Sequence, residues 1–163
     1  MPKDSSATRA TILAAAVHTL QRGGIEGFSL DAVARRAGVV KGLLLYHYAS
    51  RARLLRAAAA QIVEARDAAI ATALASGPGT TALDACWELL RRQIEDGTAR
   101  AWLSICGAGL VDRSARTDGF EAAARDAIVD GCTAALVAGV ALPDARDAYD
   151  ALWLSLLEVT GKS

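Results

Sequence analysis

The side chains best equipped for chemistry lie in one short stretch, AVARRAGVVKGLLLYHY (residues 32–48), which gathers Arg35, Arg36 and Lys41 and then the rings of Tyr46, His47 and Tyr48. The chemistry open to them is recognition. Guanidinium and ammonium groups neutralise an anion, and stiff rings with polar tips supply large contact area beside it. No catalytic set is assembled elsewhere. The only histidines are His18 and His47, and there is no H-E-x-x-H, no glycine-rich phosphate loop and no serine or cysteine with an evident base. The sequence is read as non-enzymatic, with no cofactor and no metal. His18, next to Val17, is expected to be a packed or half-exposed histidine rather than a ligand or base.

Charge is distributed to match that reading. The 163 residues have a formal net charge of zero, yet residues 1–56 hold nine basic and three acidic residues, and residues 57–163 hold nine basic and fifteen acidic ones. A basic third joined to an acidic remainder implies that the first part alone meets a polyanion. Cys86, Cys106 and Cys132 are far apart and form no C-x-x-C pair, as small buried hydrophobes do in a reducing compartment. The start, MPKDSSATR, has no apolar signal core, and no uncharged run reaches the roughly 20 residues that span a bilayer. The expectation is a cytoplasmic protein with no membrane partner.

The elements that must position these residues all read as helices. Alanine dominates, β-branched and aromatic residues are sparse, and no alternating run is long enough for a strand, so the fold class is all-α. A first helix over about 7–22 carries Ile12, Leu13, Ala16, Val17 and Leu20 as one apolar stripe and ends at Gly23-Gly24. Ser29 caps a second, with Asp31 in its first turn and Phe28 placed to staple onto Val33. A short third helix runs over about 40–48. Ser50 caps a long fourth, SGPGT (76–80) is a hinge, and further helices are expected near 81–96, 98–111, 117–141 and 144–160.

Within residues 30–48 the spacing is that of a helix-turn-helix. Ala34 allows the close helix crossing, Gly38 takes the positive φ of the turn, and Val33, Val39 and Leu44 face inward. That leaves the outer face of the last helix free to enter a major groove. Gly42, inside so short a helix, implies close approach of backbone to another molecule.

Over residues 9–56, from TRATILAAAVHTLQRGG through FSLDAVARRAGV to VKGLLLYHYASRARLL, the chain resembles the TetR family of transcriptional regulators. The resemblance implies an N-terminal three-helix DNA-binding domain, taken as 1–56, and a helical effector-binding and dimerisation domain, 57–163. It also implies a homodimer on a double-stranded DNA operator. Carried over by position, Ser29 and Arg51 lie at helix starts that touch phosphate, and Lys41, Gly42, Leu43, Tyr46 and His47 lie on the recognition helix. Tyr48 replaces a phenylalanine that packs this helix on the core. The chain departs from the family where Val40, Leu43 and Leu45 replace hydroxyl-bearing residues. The missing cap costs the helix about 1 kcal/mol. The leucines suit thymine methyls, and the alternative is a ligand- or protein-binding dimer whose head has degenerated.

In the remainder, Trp87, Trp102, Ile105, Cys106 and Phe120 are candidates to line a pocket for an apolar or aromatic small-molecule effector. The last helix carries Tyr149, Leu152, Trp153, Leu156 and Leu157 as a continuous stripe, and Ala124, Ala127, Gly131, Ala134 and Ala138 form a seam of small residues before it. The family's final helices build a four-helix dimer interface, which makes the stripe the candidate dimer surface.

Overall fold

The computed structural model describes residues 2–78, 80–111 and 120–160. Those residues form helices α1 (Pro2–Gly23), α2 (Leu30–Ala37), α3 (Lys41–Tyr48), α4 (Arg51–Leu74), α5 (Thr80–Asp96), α6 (Thr98–Gly107), α7 (Phe120–Val137) and α8 (Leu142–Thr160). No strand occurs among them. The chain forms two compact units. The first is the segment through Arg66 together with Arg100–Val111, and the second is Asp67–Ala99 together with the chain from residue 112 onward. The first unit thus extends past residue 56 and takes in most of α6.

Helix ends follow from local chemistry. Ser29, with extended backbone, accepts a hydrogen bond at Oγ from the Ala32 N–H (3.1 Å), and the Ser50 hydroxyl accepts one from the Arg53 N–H (3.2 Å). Helix α1 starts at Pro2 rather than near residue 7, and two helix ends fall short of the sequence expectation. Helix α6 stops at Gly107 rather than 111, because Gly109 turns left-handed (φ 66°) and the Leu110 N–H folds back on the Ile105 carbonyl (3.0 Å). Helix α7 stops at Val137 rather than 141 for the same reason: Gly139 has φ 93° and the Val140 N–H reaches the Ala135 carbonyl (3.0 Å). Pro143 then lies inside the first turn of α8, where its missing N–H has no intrahelical partner to lose.

The core of the first unit is built from α1 (Ile12, Ala16, Leu20), Phe28, α2 (Val33), α3 (Leu44, Tyr48) and α4 (Leu54, Ala58, Ile62). Ala101, Trp102 and Ile105 of α6 complete it. The Arg66 guanidinium stacks over Trp102 at 4.2 Å from the ring centroid, a cation over an aromatic face.

The core of the second unit centres on Tyr149, fully buried, with its ring 5.3 Å from Trp87 and 6.1 Å from Trp153. Its hydroxyl donates to the Leu83 carbonyl (3.0 Å). Arg146 ties α8 to α5, donating from Nε to Asp150 (2.8 Å) and from Nη2 to Asp84 (2.6 Å).

Burial pushes the Cys86 and Cys132 thiols above the ordinary 9.0 and the Tyr149 phenol well above the ordinary 10.0. The folded chain therefore holds these protons more tightly than the unfolded chain does. Below about pH 8 both states are protonated and nothing changes; as pH climbs through about 9 to 11 the unfolded chain ionises first and stability falls. The urea midpoint should be flat at neutral pH and decline across that alkaline window, less steeply above about pH 10 in Tyr149→Phe. A midpoint that rose with pH would contradict this burial.

Candidate nucleic-acid interface

The turn between α2 and α3 is made by Gly38, at φ 67° and ψ 30°, with the Val39 N–H bonded to the Ala34 carbonyl (3.0 Å). A Cβ at Gly38 would meet nothing within 4 Å, so the position needs glycine for its left-handed backbone rather than for space. Ala34 is the residue buried at the crossing.

Helix α3 is anchored by two side chains. Leu44 is fully buried, and Tyr48 is buried with its hydroxyl donating to the Arg9 carbonyl (3.1 Å) and the Arg9 guanidinium 5.0 Å from its ring centroid. These contacts fix which face looks outward. Lys41, Gly42, Leu43, Leu45 and Tyr46 are exposed, Tyr46 by 80 %, and His47 is half-buried, 5.3 Å edge-on from the Tyr46 ring. A Cβ at Gly42 would meet nothing within 4 Å, so no packing inside the chain demands a glycine there. The α3 start, Val40, has no side-chain cap, as its residue type requires.

Three features of this surface escape a sequence reading. Lys41 Nζ pairs with Asp31 at 3.0 Å, both side chains being exposed, so the first cation of the recognition helix already has a carboxylate beside it. Arg51 donates from Nε to the Phe28 carbonyl (3.1 Å) and from Nη2 to the Ile25 carbonyl (3.4 Å), with its guanidinium 5.6 Å from the Phe28 ring centroid. It therefore braces the turn between α1 and α2, and its remaining N–H groups are what it has left for a phosphate. Ala49 has φ 59° and ψ −35°, with the Ser50 N–H on the Tyr48 carbonyl (2.6 Å), a γ-turn that strains a residue bearing Cβ. Replacing Ala49 with glycine should stabilise the first unit by about 1 kcal/mol. A thermal melt checks this, and an unchanged or lower Tm would contradict the strained turn.

The effector candidates separate. Trp102 and Ile105 are sealed in the core of the first unit, and Cys106 packs against that core. Trp87 belongs to the core of the second. The Phe120 side chain lies outside the described residues. Trp87, Trp102, Ile105 and Cys106 are thus core or core-flanking residues, divided between the two units. Three polar atoms of the second unit, Gln93 Oε1, Arg125 Nε and Trp153 Nε1, are buried without a hydrogen-bond partner among the described residues, Arg125 Nε lying 3.7 Å from Asp126 Oδ1. No group of three or more His, Cys, Asp or Glu suited to a metal occurs among those residues.

The dimer candidates separate as well. Tyr149 (0 % exposed) and Trp153 (5 %) are consumed by the core of their own subunit, and Leu156 packs at its margin, so the first two are not surface. Leu152 and Leu157 are exposed. Beside Leu152, the exposed residues Ala148, Ser155 and Val159 continue one face of α8, and Ala127, Gly131, Ala134 and Ala138 form an exposed seam along α7. A Cβ at Gly131 would meet nothing within 4 Å.

Residues 12–58 match the bacterial regulatory proteins of the tetR family. No curated protein matches the chain. Among solved structures, the multidrug binding protein EbrR complexed with imidazole is similar at 26% identity and TM-score 0.61, over 91% of this chain and 88% of that one. A member of the TetR family (SCO1917) from Streptomyces coelicolor A3 is similar at 29% identity and TM-score 0.55, over 91% and 97%. A gamma-butyrolactone receptor (ArpA-like protein), at 24% identity and TM-score 0.58 over 94% and 88%, shares the fold. No helix of the described residues is long and apolar enough to cross a membrane. Residues 12–58 thus carry a helix-turn-helix head that matches the tetR family of bacterial regulatory proteins, and over nine-tenths of its length the chain is alike in fold to solved structures that include a member of that family.

Proposed function

We propose that the chain is a ligand-responsive repressor that binds a near-palindromic operator as a homodimer. The observation that carries this reading is the outward face of α3, where Lys41, Gly42, Leu43 and Tyr46 stand exposed on a helix pinned from behind by Leu44 and Tyr48. In the proposed complex Lys41 and the Ser29 end of α2 meet phosphates, Gly42 allows backbone approach, and Leu43 contacts thymine methyls. Tyr46 and His47 flank the phosphate backbone, and Arg51 reaches it with the N–H groups not spent on Phe28 and Ile25. The exposed seams of α7 and α8 form the dimer contact. The effector is an apolar or aromatic small molecule bound in the helical domain, a reading supported by similarity to a multidrug binding protein. Gln93 Oε1 is the polar atom that would orient it.

Fluorescence anisotropy with duplex DNA across a salt series tests the reading. A DNA reader that neutralises several phosphates loses affinity steeply as salt rises; affinity absent at low salt would refute it. Two observations favour the second reading, a helical dimer with a degenerate head: Lys41 is already paired with Asp31, and α3 lacks a side-chain cap. The pair itself offers a discriminating variant. Asp31→Ala removes a carboxylate that DNA phosphates must approach and frees Lys41, and should raise duplex affinity by about two- to fivefold, in keeping with the worth of an exposed pair. An unchanged affinity would mean that Lys41 does not meet phosphate.

A further inference from the structure

An open cleft on the first unit, apart from the outward face of α3, is lined by Arg22 at the end of α1, by Arg35 and Arg36 at the end of α2, and by Thr19, Gly23 and Gly27. We propose that this cleft binds a phosphate group, supplied either by the DNA backbone beyond the recognition helix or by a free phosphorylated compound. The first of these sources rests on the DNA-binding reading above; the second does not.

Three arguments converge. The charge is uncompensated: no carboxylate lines the cleft, and the guanidinium groups of Arg22 and Arg35 have no hydrogen-bond or ion-pair partner among the described residues. Arg36 has only His18, its Nη1 3.5 Å from the imidazole Nε2. Other cations of the head are engaged: Lys41 by Asp31, Arg51 by two carbonyls, Arg9 by the Tyr48 ring and Arg56 by the Ala52 carbonyl. Secondly, the cleft is held open by its small residues. A Cβ at Gly23 would project into open space, whereas one at Gly27 would strike the Gly23 backbone at 3.0 Å, so the turn tolerates nothing larger at Gly27. Thirdly, the donors suit the ligand. Guanidinium forks match phosphate oxygens in bidentate geometry, and an exposed cleft lets the anion enter with part of its hydration intact. The favourable position of arginines in last helical turns explains each singly, but not why those of two helices share one cleft.

The test uses the full chain in four forms: wild type, Arg35→Gln/Arg36→Gln, Gly23→Leu, which fills the cleft while keeping its charge, and Arg91→Gln/Arg92→Gln on α5 as a charge control. Each is titrated with inorganic phosphate by calorimetry and with duplex DNA over a salt series. If DNA is the source, the slope of log affinity against log salt shrinks by about 0.9 in the double variant of the cleft, the loss of one phosphate contact. It shrinks also in Gly23→Leu and holds in the control. If a free phosphorylated compound is the source, wild type and control bind inorganic phosphate saturably, both cleft variants lose that binding, and the DNA slope is unchanged. The proposal is overturned if the cleft variants match wild type in both titrations, or if the α5 control falls as far as they do. A wild-type chain that binds no duplex would refute the DNA reading alone, since the phosphate titration still decides the cleft.

Discussion

Gly131→Arg should leave the fold of the subunit intact, convert the proposed dimer to monomer and lower operator affinity by about 100-fold or more. The position lies inside α7, where replacing glycine adds up to about 1 kcal/mol of helix propensity, and a Cβ there meets nothing of its own chain. In a two-fold contact along the α7 seam of Ala127, Gly131, Ala134 and Ala138, however, the new side chain would hold the helices apart and place an unpaired charge in the interface. Loss of the dimer removes the linkage between the two heads, and with it the gain of two tethered half-sites, which is on the order of 10²- to 10⁴-fold. Sedimentation and circular dichroism read the two halves of this prediction separately. A variant that remains a dimer with wild-type affinity would move the interface away from α7.

Tyr149→Ala is expected to behave in the opposite way, collapsing the second unit rather than dissociating two folded subunits. The ring is fully buried between Trp87 and Trp153, and truncating a buried aromatic costs about 3–5 kcal/mol. The Leu83 carbonyl also loses its donor, a further penalty of about 1–3 kcal/mol unless water enters. Together these are a large share of the 5–15 kcal/mol that stabilises a typical domain. Urea unfolding of Tyr149→Ala and Tyr149→Phe separates ring from hydroxyl, with Phe retaining most of the stability. If the alanine variant lost less than about 1 kcal/mol yet failed to dimerise, Tyr149 would belong to the partner contact and the core assignment would be wrong.

The contrast between these two positions explains what the sequence could disclose. The stripe Tyr149, Leu152, Trp153, Leu156 and Leu157 is continuous at helical spacing, but periodicity gives a face and not the side on which it is covered. Its middle, Tyr149 and Trp153, is core, while its edges, Leu152 and Leu157, are exposed. The head was far more legible because its signals are local. Ser29 and Ser50 cap helices within three residues of themselves, and Gly38 makes a turn that only a left-handed backbone can make. Long-range pairings left no such mark. Nothing in the spacing says that Trp102 and Ile105 return to the core of the head while Trp87 joins the other unit, or that Asp31 meets Lys41 ten residues on. The strain at Ala49 is equally silent, since positive φ is signalled by glycine or asparagine and not by alanine.

The central claim, a dimeric head that reads sequence through α3, is tested most directly by selecting bound duplexes from a random pool with the purified chain. The account predicts enrichment of a near-palindromic site whose half-sites are separated by about one helical turn, roughly 34 Å, or a multiple of it. Recovery of no motif would contradict it, as would a lone half-site with no symmetric partner.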